Sequence, residues 1–268
     1  MKSFIGLFLL LILNSLFLNA YAESIQQVRE QGFKSYPTGT AYYLTSFSKS
    51  KRLLLQLYSD HQITFYCDCL FDNKKKIDAG TCGYMARKNA RRGQRVEWEH
   101  IIPAHRFGSF RSCWKEQSSY PRCIKKNGKT LSGRKCCRRV DPEFKEMEAD
   151  LLNLVPAVGE LNGDRSNYSF GDIEGELRRY GQCDFEVNFK EKIVEPPINL
   201  RGNIARVYYY FQETYGLLLT EEEIQRFGQW HSDDPMDEWE KEKERRVNQV
   251  LISAGKKREN IPVFVEID

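Results

Sequence analysis

After its first 22 residues the sequence has no segment apolar enough to span a bilayer, which excludes an integral helical membrane protein beyond that point. There is no internal repeat and no low-complexity linker, so neither a repeat array nor a string of tethered modules has support. Histidine is scarce, with four residues in the whole chain. His100 and His105 are the pair nearest each other, but they lack the one-turn spacing of H-E-x-x-H and an evident third ligand, which argues against a zinc hydrolase. Acidic residues nearly vanish between Ala86 and Arg139, where sixteen Lys or Arg stand against Glu97, Glu99 and Glu116, a net of +13. The whole chain is only +4, so the remainder is acidic. A basic block on a near-neutral protein points to a polyanion such as nucleic acid; its plainer alternative is an ordinary solvated surface.

What is present begins with "MKSFIGLFLLLILNSLFLNAYA", one lysine, an apolar run and a small-x-small end. This is the pattern of a secretory signal peptide over residues 1–22. Asn14, Ser15 and Asn19 break the run and disfavour a membrane anchor. Export makes the eight cysteines, Cys67, Cys69, Cys82, Cys113, Cys123, Cys136, Cys137 and Cys183, candidates for disulfides. Neither Cys67-x-Cys69 nor the vicinal Cys136-Cys137 has structural-zinc spacing, and the pairing stays open.

The pattern along the chain predicts a polar N-terminal arm over residues 23–50 and one α+β domain over 51–268. Leu53, Leu54 and Leu57 mark a helix, "ITFYC" a short strand, and "RVEWEH" a strand with Arg95, Glu97 and Glu99 on one face and Val96, Trp98 and His100 on the other. Residues 109–139 read as a long, basic, disulfide-stapled loop. Asp141-Pro142 predicts a helix start, with Phe144, Met147, Leu151 and Leu154 as its core stripe and Pro156 its stop. "GELNGDRSN" reads as turn. Helices follow over Ile204–Tyr215, from a Thr220/Glu223 capping box, and from Asp234-Pro235.

Phosphodiester hydrolysis needs an activated water, charge stabilisation at phosphorus and the leaving oxygen, and a grip on the strand. Histidine suits the first task because its ordinary pKa lies near neutrality, and a hard divalent cation on oxygen ligands suits the second. Glu99 beside His100 offers one of each. Adjacent strand residues face opposite ways, so the two can share a phosphate only where the strand ends or bulges, which Pro103 makes feasible.

The run "RVEWEHIIPAHRFG", with "GRKC", "MEADLLNLVPAVGELNGDRSN", "YGQC", "VNFKEKIVEPP" and "RGNIARVYYY" following in order, resembles the bacterial endonuclease I family of periplasmic and secreted nucleases, collinearly from about Leu53 to about Leu251. The resemblance implies a disulfide-stapled mixed α/β fold with a ββα-metal (His-Me finger) site. It also implies Mg²⁺-dependent, sequence-nonspecific cutting of DNA and RNA that leaves 5′-phosphate and 3′-hydroxyl ends. By motif match His100 is the general base, Glu99 and Asn162 hold one Mg²⁺, with Mn²⁺ or Ca²⁺ as other occupants, and Arg134 holds the phosphate. Asn153 is the rival amide. Arg87, Arg91, Arg92, Arg95 and Arg106 are the expected backbone-phosphate contacts. The expected protein is a monomer, periplasmic or secreted, with no membrane association once the signal is cut. The alternative is a secreted nucleic-acid-binding protein on the same scaffold without catalysis.

The chain departs from the family pattern in places. His105 stands where relatives carry Trp, and Leu152 where they carry His. Two late cysteines are absent, and the segment between Cys113 and Cys137 is longer, with two extra cysteines.

Overall fold

The computed structural model describes residues 42–257 apart from Glu176; the signal peptide and most of the N-terminal arm lie outside the described residues. Helix α1 spans Phe47–Leu57 and opens where the Ser46 hydroxyl accepts the Lys49 N–H at 3.3 Å, burying Leu54 and Leu57 on one side. Residues 47–50, placed in the arm by sequence, are thus its first turn. Helix α2, Ala90–Gly93, leads into strand β1, Val96–His100, and the short helix α3, Ala104–Gly108. Helices α4, Gly133–Val140, and α5, Pro142–Ala149, precede strand β2, Leu154–Val158, and helix α6, Gly159–Arg165. Helices α7, Arg201–Tyr215, α8, Glu221–Asp233, and α9, Glu238–Ala254, complete the helical part.

The chain thus mixes helix and strand, but several local expectations give way. "ITFYC" makes only an isolated bridge, Ile63 to Leu70, before turns take over. The stretch 109–139 is not one loop, because α4 occupies its end and carries Arg134. Asp141 does cap α5, accepting the Phe144 N–H at 2.9 Å, but the helix stops at Ala149. Leu154 and Pro156 belong instead to β2, which runs antiparallel to β1 with Trp98 opposite Pro156 and His100 opposite Leu154. The ladder bonds from Ile101 to Asn153 and from Gly159 to Arg95 fix the odd-numbered residues of β1 as the bonding positions. Pro156 therefore occupies a non-bonding pair, where its missing N–H leaves no gap, and its carbonyl accepts from Phe65 at 2.8 Å.

"GELNGDR" is the helix α6, not a turn. Its two glycines serve close approach. A Cβ on Gly159 would lie 2.6 Å from the Arg92 carbonyl oxygen, and one on Gly163 would collide with the Arg92 guanidinium. Helix α2 and Arg92 thereby lie directly on α6, which itself packs on β1. The third C-terminal helix starts at Asp237, whose side chain forms a capping box with Glu240, and not at Asp234. Asp234 caps a different helix, accepting the Gly202 N–H of α7 at 2.8 Å. Thr220 and Glu223 form the expected box on α8, and Gly216 ends α7 with φ +65°.

The eight cysteines form four disulfides, Cys67–Cys183, Cys69–Cys82, Cys113–Cys137 and Cys123–Cys136, so the vicinal pair is divided between two partners.

Candidate active site

His100 ends β1, on the face it shares with Trp98, and is almost wholly buried. Its Nε2 lies 2.9 Å from the backbone oxygen of Glu148 at the end of α5. A carbonyl oxygen can only accept, so Nε2 carries the proton and Nδ1 keeps a free lone pair. Burial, reinforced by the nearby Arg134 charge, pulls the imidazole pKa down to about 4, so the ring is neutral at physiological pH. Phe47, the first residue of α1, covers it with ring centroids 4.9 Å apart.

Arg134 comes from the first turn of α4 and Glu148 from α5. The Glu148 carboxylate, buried, accepts from Arg134 Nε at 2.6 Å and from Arg138 Nε at 2.5 Å. Burial opposes ionisation of Glu148, but the Arg138 and Arg134 guanidinium groups outweigh it and hold its carboxyl below the usual range. One residue thus fixes the histidine by its carbonyl and the arginine by its carboxylate. Arg134 and Arg138 both sit over the Phe47 ring, at 5.7 and 5.8 Å.

Glu99, also buried, is the preceding residue of β1 and has its own set of partners. Its Oε1 takes the Tyr66 hydroxyl at 3.2 Å and pairs with Arg165 at 3.2 Å. The fully buried Arg165 also donates to the backbone oxygen of His100 at 2.9 Å and to that of Ile101, and so holds the bend after β1. Burial pushes the Glu99 carboxyl up to about 7 against the pull of Arg165, Tyr66 and the more distant Arg134. The Arg134 charge is therefore felt by both Glu99 and His100.

Asn162 lies on α6, facing β1. Its Nδ2 is 3.4 Å from Glu97 Oε2. A carboxylate can only accept, so the amide nitrogen turns to Glu97 and Oδ1 is presented as an acceptor. Glu97 is itself held by Arg92, at 2.9 and 2.6 Å, and by Arg95, at 2.8 Å. Burial opposes its ionisation, but these arginines keep its carboxyl below the usual range. Among the described residues no group of three or more His, Cys, Asp or Glu is arranged to hold a metal. The donors available are one buried carboxylate, whose ionisation burial still opposes despite its Arg165 partner, and one amide oxygen. That set fits a hard cation that keeps most of its water, and does not fit zinc.

The expected phosphate contacts fare unequally. Arg87 pairs with Asp164 at 3.0 Å, Arg92 and Arg95 with Glu97, and Arg106 with Glu223 at 2.8 Å; Arg91 alone of the five is exposed and carries no such pair. His105 is exposed on α3, edge-on to Trp114 at 5.8 Å. Asn153, the rival amide, is fully buried, its Oδ1 accepting from Ile102 N at 2.7 Å and its Nδ2 donating to Ile102 O at 3.1 Å; this double bond to one peptide occupies it structurally. Sequence reasoning missed Phe47, Glu148 and Arg165, and gave Glu97 no task. Only Glu97 left a signal, by sharing the Glu99 face of the strand.

The chain matches the endonuclease I family model over residues 17–254. It is 41% identical to an extracellular deoxyribonuclease of Aeromonas hydrophila over 82% of this chain and 89% of that one. It is 42% identical to a periplasmic deoxyribonuclease of the same species, over 82% and 85%. To the endonuclease-1 of Buchnera aphidicola subsp. Acyrthosiphon pisum it is 38% identical, over 76% of each.

Proposed function

Since the chain belongs to the endonuclease I family and is an exported endonuclease, periplasmic or secreted, we propose that it is a Mg²⁺-dependent, sequence-nonspecific enzyme cutting DNA and RNA as a monomer, with His100 as its base. The observation that carries this reading is the tautomer of His100. With Nε2 committed to the Glu148 carbonyl, a buried, neutral Nδ1 is left to take a proton from water. In this reading β1, β2 and α6 form the ββα-metal unit. Glu99 and the Asn162 amide oxygen would hold the ion, which when bound offsets charge on the phosphate and the departing oxygen.

The chain's own groups do the rest. Glu148 orients the imidazole and aims the Arg134 fork, which suits a phosphate better than an ammonium would. Phe47 and the buried strand end limit the water around Nδ1. Attack in line on phosphorus breaks the bond to the 3′ oxygen, leaving 5′-phosphate and 3′-hydroxyl ends. Arg91 remains available to a backbone phosphate.

The test is plasmid and RNA cleavage by the oxidised mature protein beside His100→Ala, each with Mg²⁺ and with EDTA. Cleavage by wild type with metal only, and binding without cleavage by the variant, is the expected result. Equal cleavage by His100→Ala would remove His100 from the role of base. Binding by wild type without cleavage under any divalent ion would make the protein a binder.

A further inference from the structure

The sixteen cations between Ala86 and Arg139 divide once their partners are known. Seven are ion-paired with carboxylates: Arg87, Arg92, Arg95, Arg106, Arg111, Arg134 and Arg138. Nine pair with no carboxylate among the described residues, and seven of these lie between Lys115 and Arg139, all exposed: Lys115, Arg122, Lys125, Lys126, Lys129, Lys135 and Arg139. The uncompensated positive charge is therefore not where the sequence pattern put it. It is concentrated on and around one hairpin.

That hairpin is built to hold its shape. Ile124 bridges Thr130, Lys125 N donates to Lys129 O at 2.9 Å, Gly128 takes the turn at φ +76°, and Leu131 N donates to Cys123 O at 2.8 Å. Its base is tied to α4 by Cys123–Cys136, and Arg139 donates to the Arg122 carbonyl at 2.9 Å. Along α4, at 100° per residue, Arg134 and Arg138 share the face over Phe47, Lys135 and Arg139 come next around the helix, and Cys136 follows on the side tied to the hairpin. Beyond Arg134 and Arg138, which are paired with Glu148, the exposed cations Lys135 and Arg139 continue toward the hairpin, whose base Arg139 joins at the Arg122 carbonyl. The buried Cys123–Cys136 staple keeps this exposed, lysine-rich segment in one shape, so a polyanion meets a surface already ordered.

We propose that the stapled hairpin 122–131 is a second phosphate-binding surface, engaging the backbone of a nucleic-acid strand several nucleotides from the bond that is cut. This rests on the reading of the site above and adds that substrate length matters. Only strands long enough to reach Lys125, Lys126 and Lys129 gain from it, and because it reads phosphates it adds no sequence preference.

The experiment compares the oxidised mature protein with Lys125→Gln/Lys126→Gln/Lys129→Gln and with a control of equal charge loss, Lys190→Gln/Lys256→Gln/Lys257→Gln. Binding of a 30-base-pair duplex is measured against salt in EDTA, and cleavage of that duplex and of a tetranucleotide with Mg²⁺. The hairpin variant should flatten the slope of log affinity against log salt by about 0.9 per lost phosphate contact, up to about 3 in all. It should also raise KM for the duplex about tenfold or more and leave tetranucleotide cleavage unchanged, while the control moves the slope much less. An unchanged slope and KM, or equal effects in the two variants, overturns the proposal. Absence of tetranucleotide and duplex cleavage in wild type, with the salt slope still dependent on the hairpin, overturns the catalytic reading and leaves the hairpin standing.

Discussion

Arg165 concentrates several constraints in one side chain. It neutralises a buried carboxylate, Glu99, and satisfies two backbone oxygens at the strand end, those of His100 and Ile101. Replacing it with Met would strand a buried anion and two acceptors. The expected loss is about 3–5 kcal/mol in urea unfolding, well above that of an ordinary surface arginine. Glu97→Gln probes orientation instead. A glutamine can donate as well as accept, so the Asn162 amide loses the neighbour that turns its oxygen outward, and Arg92 and Arg95 lose their counter-charge. The Mg²⁺ concentration for half-maximal cleavage should rise about 10–100-fold with the fold intact by circular dichroism. An unchanged Mg²⁺ midpoint would show that Asn162 does not depend on Glu97. At this scale the sequence was readable for Glu99, His100, Asn162 and Arg134 as candidates, because their motifs are contiguous. Glu148 was not readable, since its contribution to His100 is made through a backbone carbonyl that any residue possesses.

Among elements, the caps offer the cleanest contrast. Asp237→Ala removes the capping box of α9 and should cost about 1 kcal/mol by thermal unfolding. Asp234→Ala should cost a similar amount through α7, where Asp234 caps Gly202, and the two losses should couple because Arg206 joins the Asp234 carbonyl to Glu240, the partner of Asp237 in its capping box. Helix starts marked by side chains, as at Thr220, were legible in sequence, whereas Asp-Pro at 234–235 imitated one. The failure at 150–158 has a similar origin. Leu151 and Leu154 are buried as the helical stripe required, but in the turn and strand that follow α5, and Pro156 reads as a stop until its non-bonding place opposite Trp98 is known. "GELNGDR" misled in the opposite sense. Its glycines suggested a turn, yet they are there to admit Arg92.

For the molecule as a whole, disulfides and a buried lysine set the terms of stability. Cys67–Cys183 closes 116 residues and Cys69–Cys82 only 13. On the chain-entropy account, double Ser replacement of the first pair should cost about 5 kcal/mol and of the second about 3, measured by denaturant midpoints. Lys243 of α9 is buried and donates to Leu152 O at 3.0 Å, and burial lowers its ammonium from 10.5 to about 8. Below about 8 both folded and unfolded chains hold the proton, and the fold bears the cost of a buried charge. Between about 8 and 10.5 the unfolded chain holds it more tightly, so this group's contribution improves as pH rises. Wild type should therefore gain on Lys243→Met between pH 7 and pH 10 by on the order of a few kcal/mol, and a pH-independent difference would mean the ammonium is not buried as charged. The overall class of helix mixed with strand was legible from motif order. The disulfide pairing was not, because vicinal Cys136 and Cys137 have equal claims on each partner until α4 sets them about 100° apart around its axis.

Among the described residues helix α9 is the last, yet it docks on the first, α1. Arg246 reaches the Leu57 carbonyl at 2.8 Å, Lys49 reaches the Ala254 carbonyl, and Lys243 holds the segment just before Asn153. Phe47, which roofs His100, stands on α1, held by that docking and by the Ser50 hydroxyl donating to the Ala149 carbonyl at 2.6 Å. The roof over His100 is thus braced from 205 positions farther along the chain, and a change in α9 bears on the helix that carries it.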